Sequence, residues 1–397
     1  MSSNLPTAAK AKYQEYLDAG STEEKIKKLE EFLSLVPKHK ATEKIVALNK
    51  SRLAKMKREV EERRQKQKIT QKIVSPFSIK KEGLQIILIS NYYTPGVGKT
   101  TLLNYLTGAA NEKIGRFTPI PEIGIYKYQN IRFQIVDMPS IMEGASDGVG
   151  NGKEILSQLR AADLLCFCID LSRNIKDQMD LLLKELTRAD IRINLPPPPL
   201  TIEKTGANKI QVLYMTKEAK GIEELEKLTE EIKEIVNENG IRNGIVKIYG
   251  KITIDNIIDV LTPSVVYKKV IILGTKGDLP HTQETFEMLK TRYSDRFPII
   301  LGTSFQKENF PKDFGEIILK FLKKIRIFTM SSGIVADQPL LMEEGVTVKG
   351  VAEKIHRSFY ESFDHAIVMR EGVRQKRKKV GLDYILKDYD IVEIHIT

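Results

Sequence analysis

The sequence predicts an α/β protein centred on a mostly parallel sheet with helices on both faces. Three observations carry that expectation. Unbroken apolar runs recur at LQIILIS (84–90), IRFQIVDMPS (131–140), LLCFCID (164–170), VIILGTKGDL (270–279) and PIILGTS (298–304). Runs without alternation belong to strands buried on both faces. Helix-spaced segments such as QMDLLLKELTRA and TQETFEMLKTRY stand between them, which is the rhythm of βαβ crossovers. The first run also passes through the loop TPGVGKTT (94–101) straight into the helical TTLLNYLTGA.

With 397 residues, the chain is long enough for more than one domain. Its 41% hydrophobic and 29% charged content is that of a soluble globular protein, and with the signal and cysteine readings below a cytoplasmic one is expected. No apolar run approaches the roughly 20 residues of a membrane span, and the N-terminus lacks the apolar core of a secretory signal. Cys166 and Cys168 are the only cysteines. Two apart in an apolar strand, they read as core, which excludes a disulfide framework and a zinc site. The net charge of +11 is uneven: residues 38–81 hold fifteen Lys and Arg against four Glu, so the rest of the chain sums to about zero.

Residues 8–19, 22–35 and 42–72 read as helices, with Thr22 at a helix start and Thr42 as a cap. The third helix is almost wholly polar after Val60, a face for solvent or for a charged partner. Ser75-Pro76 ends it. Residues 190–265 interrupt the βα rhythm and read as a small α+β insertion, while IRIFTM, AIVMR and YDIVEIHI near the C-terminus suggest a β-grasp-like domain. The expected division is 1–82 (basic helical), 83–189 with 266–324 (sheet domain), 190–265 (insertion) and 325–397 (C-terminal domain).

A loop between a buried strand and a helix holds polyphosphate because its N–H groups and the helix N-terminus face one anion. Gly96, Val97 and Gly98 give the close approach, with Thr101 completing the turn. Lys99 reaches the β- and γ-phosphates, and Thr100 offers its hydroxyl to Mg²⁺. Asp137, at the end of a neighbouring strand, suits the same metal through a water; capping a turn is its plainer role. Thr275, Lys276 and Asp278 form TKGD behind another apolar strand. An Asp there accepts from guanine N1–H and its exocyclic amine, groups that adenine lacks, and this disfavours an ATPase. Backbone N–H groups at Ser304 and Phe305 face the guanine oxygen.

With these residues in place, the chain resembles the developmentally regulated GTP-binding (DRG) branch of the Obg-type GTPases over nearly its whole length. The resemblance rests on DMPSIMEGASDGVGNGKEIL, on KITIDNIIDVLTPSVVYKKVIILGTKGDL and on HRSFYESFDHAIVMREG with VGLDYILKDYDIVEI. It implies a P-loop GTPase domain, an S5D2L-like insertion and a C-terminal TGS domain. It also implies GTP/GDP and Mg²⁺ as ligands, a ribosomal role in translation, and a small stabilising partner protein; the divergent motifs suit an archaeal member. Three departures bear on turnover. Tyr93 stands at the first P-loop glycine. In FTPIPEIG, Thr118 precedes Pro119 where the family has a second threonine on the metal, so Thr118 takes that role or nothing does. Ser140 replaces the glycine whose N–H meets the γ-phosphate, and Ile141 follows where many GTPases carry a water-orienting Gln. Slow hydrolysis is therefore expected, with a non-hydrolysing RNA- or ribosome-binding factor as the alternative. The basic segment 38–81 and the cluster 374–379 are the expected contacts to ribosomal RNA.

Overall fold

Six consecutive apolar residues, Leu84–Ile89, form a strand (β1) buried at every position, as a run covered on both faces must be. In this computed structural model, residues 5–37, 42–68, 75–94, 96–109, 119–206, 209–216, 222–304, 309–370 and 377–396 are described. The chain divides into two compact units, one of residues 1–75 with 190–267 and one of 76–189 with 268–397.

The second unit holds the sheet. After β1 come helix α1 (Lys99–Thr107), strands β2 (Glu122–Tyr128) and β3 (Ile131–Asp137), helix α2 (Gly152–Ala161) and strand β4 (Leu164–Asp170). They continue through helix α3 (Ile175–Arg188), strand β5 (Val266–Thr275), helix α4 (Thr282–Tyr293), strand β6 (Ile300–Gly302) and helix α5 (Phe314–Leu322). The spatial order is β6-β5-β4-β1-β3-β2, with β2 antiparallel to β3 and the other pairs along this path parallel; a short strand, Ile191–Ile193, also pairs with β5. Sequence reasoning missed β2, although EIGIYKY alternates and the turn at Gln129 and Asn130, both at positive φ, makes it a hairpin arm of β3. Cys166 and Cys168 are fully enclosed in β4.

The same unit ends in a second sheet. Its strands are β7 (Lys324–Ser331), β8 (Ile334–Val335), β9 (Leu340–Glu343), β10 (Phe363–Met369), β11 (Arg377–Val380) and β12 (Ile391–Ile396), ordered β8-β7-β12-β10-β11 with β9 on β7. Helix α6 (Val348–Ile355) packs Val348, Val351 and Ala352 onto it, the β-grasp arrangement expected from 325–397. Arg326 joins the two sheets. Its guanidinium donates to Glu316 on α5 (2.7 Å) and to Gln129 at the β2–β3 turn (2.8 Å), while its Nε donates to Asp388 (3.0 Å).

In the first unit, helices Thr7–Asp18, Thr22–Leu35 and Glu43–Lys68 pack around Leu5, Leu29 and Phe32. The second helix starts at Thr22, and Ser21 before it forms a capping box with Glu24, stabilising by about 1 kcal/mol. Thr42, expected as a cap, directly precedes the third helix; its carbonyl accepts from Val46 N–H, and its hydroxyl donates to the Pro37 carbonyl. The insertion is a three-stranded sheet (Leu200–Lys204, Gly244–Ile248, Ile210–Tyr214 in spatial order) beneath helices Ile222–Glu238 and Ile254–Leu261. Ala54 of the long basic helix lies in the core of this insertion with Ile232, Val236 and Ile257.

That packing changes the reading of the basic segment. Lys44 pairs with Glu234 (3.6 Å), Lys50 with Asp255, and Lys57 with Glu30 (3.2 Å) and Asp190 (3.6 Å). Arg52 donates to the Tyr13 hydroxyl, and Arg58 to the Asn239 carbonyl. Much of the first half of the run is thus engaged inside its own unit. Arg63, Arg64, Lys66, Lys68 and Lys72 carry the charge further along, on side chains outside the described residues.

Candidate functional site

Parallel strands end together, so β1, β3, β4, β5 and β6 present their C-terminal ends along one edge of the sheet. Ligands of open α/β sheets bind in the crevice outside such ends. The register sets Leu88 opposite Asp137 and Asp170 opposite Thr275, which brings the sequence-selected residues to this edge.

Nine residues (90–98) separate β1 from α1, a longer loop than the G-x-x-x-x-G-K-[ST] pattern spans. The chain leaves β1 at Ser90, and Tyr92 N–H and Ile141 N–H continue a parallel ladder onto Ile141 and Ser90 carbonyls, each at 2.8 Å. Tyr93 directly follows the last residue of this ladder; it is 60% exposed, and its ring meets that of Tyr92 edge-on. Gly98 at φ 100° is the N-cap of α1, a left-handed conformation that disfavours any Cβ. Gly96 and Val97 precede it and Thr101 lies in α1's first turn; Thr118 and Phe305 lie outside the described residues.

Lys99 is buried, and its ammonium donates to Ser90 Oγ (3.0 Å) and Ser140 Oγ (3.2 Å), 3.9 Å from an Asp137 oxygen. The Thr100 hydroxyl donates to the other Asp137 oxygen at 2.5 Å. One cation, two serine hydroxyls, a threonine hydroxyl and a carboxylate thus converge at the mouth of α1. The Thr100–Asp137 pair is an all-oxygen donor set from adjoining elements, which fits a hard divalent cation such as Mg²⁺. Ser90 was not selected from the sequence, because nothing in LIS distinguishes it from a strand end.

The residues of TKGD and the end of β6 hold one another. Asp278 accepts from the Ser304 hydroxyl at 2.9 Å, and Gly277 N–H donates to the Thr303 carbonyl at 3.0 Å. The Thr275 hydroxyl donates to the Val97 carbonyl at 2.7 Å and to Ile169 at 3.2 Å. It therefore braces the loop before α1. Lys276 donates to Asp170 at 2.7 Å, a carboxylate wholly buried at the end of β4.

Behind Ser140, the glycine-rich stretch is packed rather than loose. A Cβ on Gly152 would lie 2.1 Å from the Ala145 carbonyl oxygen, so only glycine admits that close approach. Glu185 of α3 holds this stretch through Gly144 and Ser146 N–H groups (3.0 and 2.9 Å) and the Ser146 hydroxyl (2.8 Å). Sequence reasoning missed Glu185. The available signal was a charged residue on the buried stripe of Met179, Leu182 and Leu186.

Burial alone would raise the Glu185 carboxyl, but the amides of Ser146 and Gly144, its hydroxyl bond and Arg188 leave it below its ordinary value. A lowered folded value gives stabilisation that is fully present above the unfolded pKa of about 4.3. It is lost as pH falls through the folded value. The thermal-stability gap between the native chain and Glu185→Gln should thus be open near neutrality and close as pH falls below about 4. Melting curves across that range check it.

Three family models match the chain: a 50S ribosome-binding GTPase over residues 94–196, the C-terminal region of that domain over 210–313, and a TGS domain over 325–396. The chain is 32% identical to an uncharacterized GTP-binding protein of Methanocaldococcus jannaschii, over 96% of this chain and 94% of that one. It is 28% identical to the developmentally-regulated GTP-binding protein 1 homolog of Dictyostelium discoideum (94% of this chain, 98% of that one). It is also 28% identical to ribosome-interacting GTPase 1 of Saccharomyces cerevisiae (94% and 99%).

Proposed function

We infer the function from one premise: the chain belongs to the family of developmentally regulated GTP-binding proteins, GTPases that carry a TGS domain. It binds GTP and GDP at the crevice and hydrolyses GTP slowly to GDP and phosphate as a ribosome-associated switch in the cytoplasm. The convergence of Lys99, Thr100, Asp137 and Asp278 on one sheet edge carries this reading. Among the described residues, no helix is long and apolar enough to cross a membrane. We take 83–189 with 266–324 as the GTPase domain, 1–82 and 190–265 as the helical and inserted domains, and 325–397 as the TGS domain.

In this reading Gly96 to Thr101 and the N-terminus of α1 cradle the phosphates, and Lys99 leaves its serine partners for the β- and γ-phosphates. Thr100 and Asp137, with Thr118, would hold Mg²⁺, which neutralises charge on the β- and γ-oxygens. Lys276 lays its stem along the base, Asp278 reads the N1–H and amine, and Ser304 with Phe305 caps the guanine oxygen. Thr275 acts through Val97. Ser140 N–H faces the γ-phosphate. Ile141 is fully buried, so no side chain there orients the attacking water, and this observation favours slow turnover or a structural use of GTP. Competition for bound fluorescent GDP tests the ligand: GTP should displace it and ATP should not, and equal competition would overturn the assignment.

Association with the ribosome is supported by the ribosome-interacting yeast relative and by the uneven basic charge. Ribosomal RNA meets residues 38–81 and 374–379, and a small partner protein stabilises the chain. Removing 38–72 would take Ala54 out of a core, so charge substitution is the sounder test. Changing Arg63, Arg64, Lys66 and Lys68 to Ala should flatten the salt dependence of RNA binding by about 0.9 in log–log slope for each phosphate no longer neutralised. GDP affinity should be unchanged. An unaltered slope would remove this segment from the interface.

A further inference from the structure

Between the phosphate site and helix α3 the chain is fastened at two points. On one side Ile141 is locked to the strand end by its N–H on the Ser90 carbonyl and by Tyr92 N–H on its own carbonyl. On the other, Glu185 accepts from Gly144 N–H through one carboxylate oxygen and from Ser146 N–H and Oγ through the other. Lys184 pairs with Glu143 at 2.8 Å and Arg188 with Asp147 at 3.1 Å on either side of it. Only Met142 and Glu143 lie between the two fastenings.

The stretch that follows is closely packed. Gly150 has the Met142 sulfur 2.4 Å from where a Cβ would stand, and Gly152 has the Ala145 backbone at 2.1 Å. Its glycines serve close packing, so the segment from Met142 to Gly152 behaves as one folded piece seated on α3. Ser140, whose hydroxyl is 3.2 Å from the Lys99 ammonium, is held by that seat. With Ile141 buried at the position next to Ser140, placement of the Ser140–Ile141 backbone bears directly on the attack geometry.

We propose that Glu185 is a positioning residue for GTP hydrolysis: through Gly144 and Ser146 it fixes the Ser140–Ile141 turn, and so governs turnover rather than nucleotide affinity. The proposal rests on the reading of the crevice as a GTP-hydrolysing site. A displacement of about 1 Å at a reacting centre costs up to about 10²-fold in rate, whereas the phosphate cradle and the base pocket are built from other elements.

The test is single-turnover GTP hydrolysis and GDP affinity of the full chain as native protein, Glu185→Ala, Glu185→Gln and Lys184→Ala, with Lys99→Ala as the blank. Glu185→Ala should lower kcat about tenfold or more while KM and GDP affinity stay within about twofold. Glu185→Gln keeps one acceptor oxygen for either Gly144 or Ser146 and should fall between, and it keeps the test alive should the alanine variant fail to fold. Lys184→Ala, which loses only an exposed pair, should match the native chain. Amide exchange of peptides across 140–147 should quicken in Glu185→Gln. A native kcat in both Glu185 variants, or parallel losses of kcat and affinity, would overturn the proposal. Native protein no faster than the Lys99→Ala blank would instead overturn the GTPase reading, and the positioning role with it.

Discussion

Lys99→Ala should abolish GTP hydrolysis and weaken GTP binding by about 10²-fold while leaving the fold intact. The ammonium is enclosed by Ser90, Ser140 and Asp137, so it is already aimed at the site that the β- and γ-phosphates would occupy. A charge-assisted hydrogen bond to an anion contributes about 1.5–3 kcal/mol. Loss of one preorganised donor to developing charge costs about 10²–10³ in rate. The variant leaves two hydroxyls that can still bond each other, since Ser90 and Ser140 are 3.1 Å apart, and the β1–β3 ladder is untouched. Phosphate release and GTP titration, with a thermal melt as the folding control, read the outcome. Hydrolysis that persists at the native rate would mean that Lys99 is not at the phosphates.

Asp278→Asn should exchange base preference rather than merely weaken binding. Asp278 already accepts from Ser304 on one oxygen and still has acceptor positions for two guanine N–H groups. An amide offers N–H where the guanine amine also offers N–H, so two donors face each other. Xanthine, with a carbonyl in place of that amine, matches the amide. Sites built to hydrogen-bond a substrate reject a mismatched partner by up to about 10⁴-fold. GTP affinity should therefore fall by a factor approaching that size, and xanthosine triphosphate should bind in its place. Titrating both nucleotides against native and variant protein checks this. A variant that keeps its GTP affinity would remove Asp278 from the base pocket.

Much of this site was legible because its signals are local. A glycine-containing loop after LQIILI, an Asp after IRFQIV and a TKGD after VIILG each place one residue type at the end of one strand. Parallel strands then carry those ends to a common edge. Less legible was anything that depends on a loop's exact path. Tyr93 counts as the first loop glycine when read backwards from GKT, but nothing local shows that the ladder with Ile141 runs on past β1 as far as Tyr92. A glycine-rich string names no contact by itself, whereas at Gly152 the Ala145 backbone occupies the space of a side chain.

By itself, the sequence determined the α/β class, the strand–loop–helix from 84 to 107, and the placing of Asp137 and Asp278 behind apolar strands, since apolar periodicity and residue chemistry act over a few neighbours. Only the tertiary structure decided that residues 1–75 and 190–267 form one unit and that much of the first half of the basic helix is engaged within it. It also decided that Thr275 braces Val97, 178 residues away, and that Glu185 seats the segment behind Ser140. These pairings join positions remote along the chain. Their partners are selected by which side chains and carbonyls the packed sheet brings within hydrogen-bond reach, and no local pattern encodes that.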